Sequence, residues 1–252
     1  MRGSCKRAMR AVICCLFVAA NAVAQARAQI QPTRLTVVGA PMLSQPKGSF
    51  GSNIGNTFGG GGGLLYNLDR SGFFSVRFDA SGLVYGHETK QVPFSETVGG
   101  RVLVDVRTAN SIAAVSIGPE IALPKGPIRP YLNTAFTGLF FNTSSSVDDI
   151  DGADGEIVST TNHSDRTRAW TLGGGFIVPF TVRRTELGVD FGLRYHRGGE
   201  ASYLREGSIQ DNPNGSISFV PLQSRTPYMV YMIGVRFRIP YDSPSPCPRF
   251  LC

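Results

Sequence analysis

FFSVRFDASGLVYG, residues 73–86, places Phe74, Val76, Phe78, Ala80 and Val84 on one side of an extended chain and Ser75, Arg77, Asp79 and Ser81 on the other. Successive side chains of a β-strand point to opposite faces, so alternation sustained over about ten residues reads as strand. The pattern returns along the chain. RRTELGVDFGLRYHR, residues 183–197, sets Leu187, Val189, Phe191, Leu193 and Tyr195 against Glu186, Asp190, Arg194 and His196. TPYMVYMIGVRFRIP, residues 226–240, sets Met229, Tyr231, Ile233, Val235, Phe237 and Ile239 against Gly234, Arg236 and Arg238. RAWTLGGGFIVPF, residues 168–180, sets Trp170, Leu172, Phe176, Val178 and Phe180 against Thr171, Gly173 and Gly175.

These faces are the reverse of a soluble sandwich. The polar faces mix full charges with glycine, whereas the apolar faces are bulky and aromatic. Strands that cross a bilayer in about 9–11 residues have this character, with aliphatic and aromatic side chains toward lipid. Hydrocarbon offers no hydrogen bonds, so such a sheet has to close on itself. The expectation is an all-β fold, a transmembrane antiparallel up-and-down β-barrel in the outer membrane of a diderm bacterium.

Strands are expected near 33–43, 57–68, 73–86, 109–122, 129–143, 167–180, 184–198 and 226–239. DRSG, PKGPIR and TVRR are then short periplasmic turns, and 44–56, 87–108, 144–166 and 199–225 are long outer loops, in the asymmetry usual for such barrels. RVLVDVR, residues 101–107, alternates as cleanly as any of these. It either extends the sheet above the membrane or is itself a wall strand. In the second case the alternatives are ten strands, or eight without the N-terminal one.

Five consecutive glycines, Gly59 to Gly63, raise the question of a phosphate loop. Gly63 runs into Leu64, Leu65 and Tyr66 rather than the Lys and Ser or Thr such a loop requires. Within a barrel wall, small residues let backbones approach and make room for large inward side chains. Gly173 to Gly175 read the same way.

The amino terminus carries Arg2, Lys6, Arg7 and Arg10, then an apolar run over residues 11–23, then three overlapping small-residue sites ending at Ala24, Ala26 and Ala28. This is the form of a secretory signal peptide, assigned to 1–28; the apolar run falls short of the roughly 20 residues of a membrane anchor. Removing its five basic residues, Arg27 included, lowers the formal charge from +7 to +2. No basic patch remains to suggest nucleic acid as a partner. The barrel is assigned to 29–240. A Pro-rich tail, 241–252, holds Cys247 and Cys252, the two cysteines left after the leader; a disulfide and two free thiols are both open there.

The signal peptide, the alternating strands, the glycine-rich opening strand, Pro130 and Tyr131 after a short turn and the amphipathic closing strand resemble the small outer-membrane β-barrel proteins of the OmpA/OmpX and opacity-protein type. The resemblance covers nearly the whole mature chain. It departs at the end, where Phe237 is followed by fifteen further residues. It implies outer-membrane lipid, lipopolysaccharide and the barrel-assembly machinery as partners, beside a surface ligand the sequence does not identify.

Eight strands enclose about enough space for side chains to fill. Arg77, Asp79, Glu120, Glu186, Asp190, Arg194, Arg236 and Arg238 are expected to face inward and, being of both signs, to form an internal charge network, because an unpaired buried charge is costly. That disfavours a wide pore. A catalytic alternative, suggested by lipid A-modifying and proteolytic barrels, centres on His196 with Ser202 and Glu200; the plainer reading makes His196 a rim residue bonded to loop carboxylates. DDIDGADGE holds Asp149, Asp151, Asp154 and Glu156, a weak candidate cation site that misses the EF-hand spacing. No cofactor motif is present. The leading expectation is a non-enzymatic barrel, structural or adhesive, that displays its loops, with the barrel enzyme and a narrow pore as alternatives.

Overall fold

The computed structural model describes residues 34–93, 103–148, 156–182, 185–205, 207–211 and 217–239. The signal peptide, the tail with Cys247 and Cys252, and Asp149, Asp151 and Asp154 lie outside them. In chain order the elements are β1 (Leu35–Pro46), α1 (Gly48–Asn53), β2 (Thr57–Asn67), β3 (Phe74–Pro93), β4 (Leu103–Ala122), β5 (Arg129–Asp148), β6 (Glu156–Val182), β7 (Thr185–Gly198), β8 (Glu200–Tyr203), β9 (Ile209–Asp211), β10 (Ile217–Phe219), β11 (Leu222–Arg225) and β12 (Tyr228–Ile239).

β1 to β7 pair in sequence order, and β12 closes the ring by pairing with both β7 and β1, Leu35 opposite Ile239 and Pro46 opposite Tyr228. Every wall ladder is antiparallel. Eight strands, not ten, form the closed wall, and closure leaves no open edge within the membrane.

Residues 103–107 belong to β4, which runs unbroken from Leu103 to Ala122 against β3, Phe74 opposite Ile121 and Pro93 opposite Leu103. Val104 and Val106 therefore continue a wall strand upward. The outer loops expected at 87–108 and 144–166 are corrected accordingly: most of each is strand. Above the bilayer both faces meet water, so a ladder rich in Thr, Ser and Val persists on β-propensity and pairing, without needing an apolar side. The region 199–225 holds two short ladders, β8 with β11 and β9 with β10, the latter flanking Asn214 and Gly215.

The described turns at the end expected to face the periplasm are short. Between β2 and β3 the Asp69 carboxylate accepts hydrogen bonds from the Ser71 hydroxyl, and from the backbone amides of Ser71 (2.9 Å), Phe73 (3.2 Å) and Phe74 (2.7 Å). The Ser71 hydroxyl and then the Phe74 amide hold its pKa down at about 2. Gly72, at φ +74°, lets the chain reverse.

The outward face is apolar around the ring. Phe58 (66% exposed), Trp170 (65%), Ile233 (60%) and Val115 (57%) stand fully out, and Phe78, Leu132, Phe136, Leu172, Phe176 and Leu193 complete the belt. A water-soluble protein does not expose apolar surface on this scale.

The glycine run divides by parity. Gly59, Gly61 and Gly63 share the inward side with the buried Thr57 and Leu65, whereas Gly60 and Gly62 share the outward side with Phe58 and Leu64. A Cβ on Gly61 would sit 2.7 Å from the Ala80 carbonyl oxygen and 2.8 Å from Met42 Cε; one on Gly60 would come no closer than 3.5 Å, to the Ala40 oxygen. Gly61→Ala is expected to cost about 1–3 kcal/mol through overpacking. Gly60→Ala should stay within about 0.5 kcal/mol of wild type. Urea unfolding midpoints of the two variants in lipid vesicles check this, and equal midpoints would remove the packing explanation.

Candidate functional site

The inward faces of the wall strands build a lumen in three decks. The lower deck is ionic. Arg194 meets Asp79 (Nη1 to Oδ2, 3.2 Å), Asp79 accepts from Arg77 Nε (2.8 Å), and Arg77 Nη1 donates to Glu120 (2.7 Å). Arg236 continues the chain, donating from Nη1 to Glu120 (2.5 Å) and from Nε to Asp190 (2.8 Å). Asp190 also accepts from the Tyr131 hydroxyl (2.8 Å), and the Arg236 guanidinium lies 4.3 Å from the Tyr131 ring centre. Nearer the periplasmic mouth, Glu186 pairs with Arg129 and, at 3.3 Å, with Arg238.

All eight charges expected from the alternation thus point inward and pair. Arg129 is a further member that the sequence reading missed, since it sits at the first residue of β5, beside a turn, where periodicity gives no signal. The core chain holds three arginines against three carboxylates and is formally neutral. Its geometry ties opposite walls together: β12 and β4, joined by Arg236 and Glu120, are four strands apart around the ring, as are β7 and β3, joined by Arg194 and Asp79. Glycines clear space for it. A Cβ on Gly192 would fall 2.6 Å from the Tyr131 hydroxyl, one on Gly175 would fall 2.8 Å from it, and one on Gly173 would fall 2.7 Å from Arg194 Cγ.

The middle deck is a relay of hydroxyls. Ser116 and Thr137 lie 2.8 Å apart, Thr137 and Thr171 2.7 Å, and Thr171 Oγ1 reaches His196 Nδ1 at 2.8 Å. His196 is buried and stacks on Tyr228, ring centres 4.4 Å apart. This corrects the rim reading: its partners are a threonine and an aromatic ring from neighbouring strands, not loop carboxylates. The same parity that turns Arg194 inward turns His196 inward.

The upper deck is apolar and closed. Leu83, Ile112 and Leu139 line it, while Val230 and Met232 of the same apolar cluster lie lower, opposite Arg194 and Gly192. Phe50 of α1 and Tyr203 of β8 drop into its mouth, both fully buried, with ring centres 5.1 Å apart; Phe141 stands 6.0 Å from each. The Tyr203 hydroxyl bonds Ser224 Oγ (2.8 Å) and accepts from Asn53 Nδ2 (3.1 Å), which pins the two loops to each other.

β8 follows a bend at Gly199, whose amide donates to the Arg168 carbonyl (2.8 Å). That bend carries Ser202 to β6 rather than to His196. The Ser202 amide donates to Asp165 Oδ2 (2.6 Å), and its carbonyl lies 3.1 Å from His163 Nε2. Glu200 is exposed and stands opposite Arg225 in the β8–β11 ladder. The three residues of the catalytic alternative therefore go to three different sets of partners. Glu156 opens β6, and among the described residues no group of three or more His, Cys, Asp or Glu is placed to hold a metal ion.

An apolar exterior, an interior of paired charges and a closed antiparallel wall make this chain a membrane β-barrel of the outer-membrane type. No family model matches its sequence, and no curated protein does. Among solved structures it is similar to Neisserial surface protein A, with 13% identity, a TM-score of 0.42, and 82% of this chain and 98% of that one covered. It is also similar to Ail, the attachment invasion locus protein of Yersinia pestis, with 14% identity, a TM-score of 0.42, and 82% and 99% covered. The N-terminal β-barrel domain of Pseudomonas aeruginosa OprF matches with 12% identity, a TM-score of 0.35, and 83% and 100% covered.

Proposed function

We propose that this outer-membrane barrel is non-enzymatic and acts as a structural or adhesive display scaffold, holding a projecting sheet and its loops at the cell surface. The observation that carries the reading is the filled lumen, with an ionic floor, a hydroxyl layer and an aromatic cap in series. Side chains packed across the lumen at three levels favour a scaffold over a wide pore, and the partners of His196 are a threonine and an aromatic ring rather than a catalytic pair. The wall strands β3 to β6 run on past the apolar belt, and loops held by a rigid scaffold are where binding concentrates. Lipopolysaccharide and other outer-membrane lipid around the belt, the barrel-assembly machinery during insertion and a surface ligand at the loops are the partners this reading assigns.

The test is topological and electrical. In a background with Cys247 and Cys252 replaced by serine, Thr89→Cys on the projecting part of β3 is expected to react with a membrane-impermeant maleimide on intact cells. Lys125→Cys, in the turn between β4 and β5, should react only after permeabilisation. In planar bilayers the purified protein should give no steady ohmic conductance. Labelling of Lys125→Cys on intact cells would invert the display reading, and steady conductance would replace it with a pore.

A further inference from the structure

On β6 the outward face changes character in one step. Arg166 and Arg168 are exposed, and below them on the same face come Trp170, Leu172 and Phe176, all exposed. On β7 the change falls at the same height, because Arg197 pairs with Trp170 and sits above Tyr195 and Leu193. On β5, Phe140 stands opposite Arg166, and Phe136 stands opposite Trp170 with the rings 5.8 Å apart and edge-on. Aromatic residues of this kind mark the membrane–water interface of a barrel. Three arginines on two adjacent strands therefore project from the wall at headgroup height, at the end of the barrel with the long strands.

None of Arg166, Arg168 and Arg197 forms an ion pair among the described residues. Of the neighbouring carboxylates, Asp165 faces the other way and accepts from the Ser202 amide, and Glu200 lies on β8, opposite Arg225 in the ladder. The strands fix the arginine backbones, with the Arg168 carbonyl also held by the Gly199 amide at 2.8 Å.

Resting on the membrane reading above, we propose that Arg166, Arg168 and Arg197 form a binding site for the phosphate of an outer-leaflet lipid headgroup, whose acyl chains lie on Phe136, Phe140, Trp170 and Tyr195. Guanidinium groups match phosphate oxygens in paired, charge-assisted hydrogen bonds, and the aromatic surface directly beneath suits the lipid's apolar part. This combination selects a lipid over a soluble anion.

The full-length protein, folded in neutral detergent, would be titrated with bisphosphorylated lipid A and with the same lipid stripped of phosphate, with bound lipid read by native mass spectrometry. Wild type should retain the phosphorylated form at least tenfold better. The triple variant Arg166→Gln/Arg168→Gln/Arg197→Gln should lose on the order of a hundredfold in affinity for it, Arg225→Gln should lose nothing, and Arg→Lys at the three positions, which keeps the charge but not the paired hydrogen bonds, should fall between wild type and the glutamine variant. If the triple variant fails to fold, Arg168→Gln and Arg197→Gln are read singly, each with an expected loss of about fivefold. Unchanged lipid retention in the glutamine variants would overturn the proposal. So would arginine-dependent binding of inorganic phosphate or a sulfated oligosaccharide as tight as that of the lipid. Failure of the wild-type band to shift between unboiled and boiled samples would instead count against the membrane barrel itself, which separates the two ideas.

Discussion

Glu120→Ala is expected to lower the unfolding free energy by about 3–5 kcal/mol, the usual cost of removing one partner from a buried ion pair. Glu120 is 1% exposed and receives Arg77 Nη1 at 2.7 Å and Arg236 Nη1 at 2.5 Å. Without it, two guanidiniums share one volume inside a dry wall, and the strongest tie across the barrel, from β4 to β12, is gone. The loss should appear as a lower urea midpoint in vesicles, with the wild-type slope if the unfolded state is unchanged. Lys125→Ala, in an exposed turn, serves as the control and should stay within about 0.5 kcal/mol. A Glu120→Ala loss below about 1 kcal/mol would mean that water screens the floor of the lumen, and the sealed interior would have to be abandoned.

The second large effect is local. Phe50→Ala removes a fully buried ring from the mouth, a deletion that costs about 3–5 kcal/mol in a packed core. Because Phe50 belongs to a six-residue helix in a loop, the loss should fall on opening of that loop rather than on the wall. The amides of Gly51 and Ile54, bonded to Lys47 O and Phe50 O, and that of Lys47, bonded to Pro227 O, should then exchange faster by orders of magnitude. Strand amides and the gel shift on boiling should not change. Conductance should stay absent, since the ionic deck below is untouched; exchange at the wild-type rate would show that α1 is held by something other than its ring.

The wall was legible because membrane strands obey two constraints at once, alternation and the segregation of charge from hydrocarbon. Arg77 and Asp79, or Arg236 and Arg238, could be turned inward from parity alone, and their pairing followed from the cost of leaving them unpaired. The projecting sheet was only half legible: Val104 and Val106 gave the pattern, but whether a strand ends at the membrane or passes it depends on pairing with residues some forty positions away, as Val106 does with Val147. The mouth was not legible. Phe50 in GSFGSN and Tyr203 in ASYLRE lie in segments with no period, and nothing local separates a loop aromatic that dips into a barrel from one that waves in solvent. His196 shows the opposite error, in which charged neighbours in sequence suggested a rim while the strand's own parity pointed to the interior.

β6 has 27 residues, of which roughly half lie above Trp170. Residues 156–165, above the arginines at headgroup height, amount at about 3.3 Å per residue and a strand tilt of about 40° to roughly 25 Å of ribbon beyond the lipid, braced by β5 along its length. A mast of that height rises through short surface sugars instead of lying under them. With that end outward, as proposed above, large molecules arriving from the medium would meet its upper rungs before the bilayer, so sequence change should be tolerated most there and least at the waist.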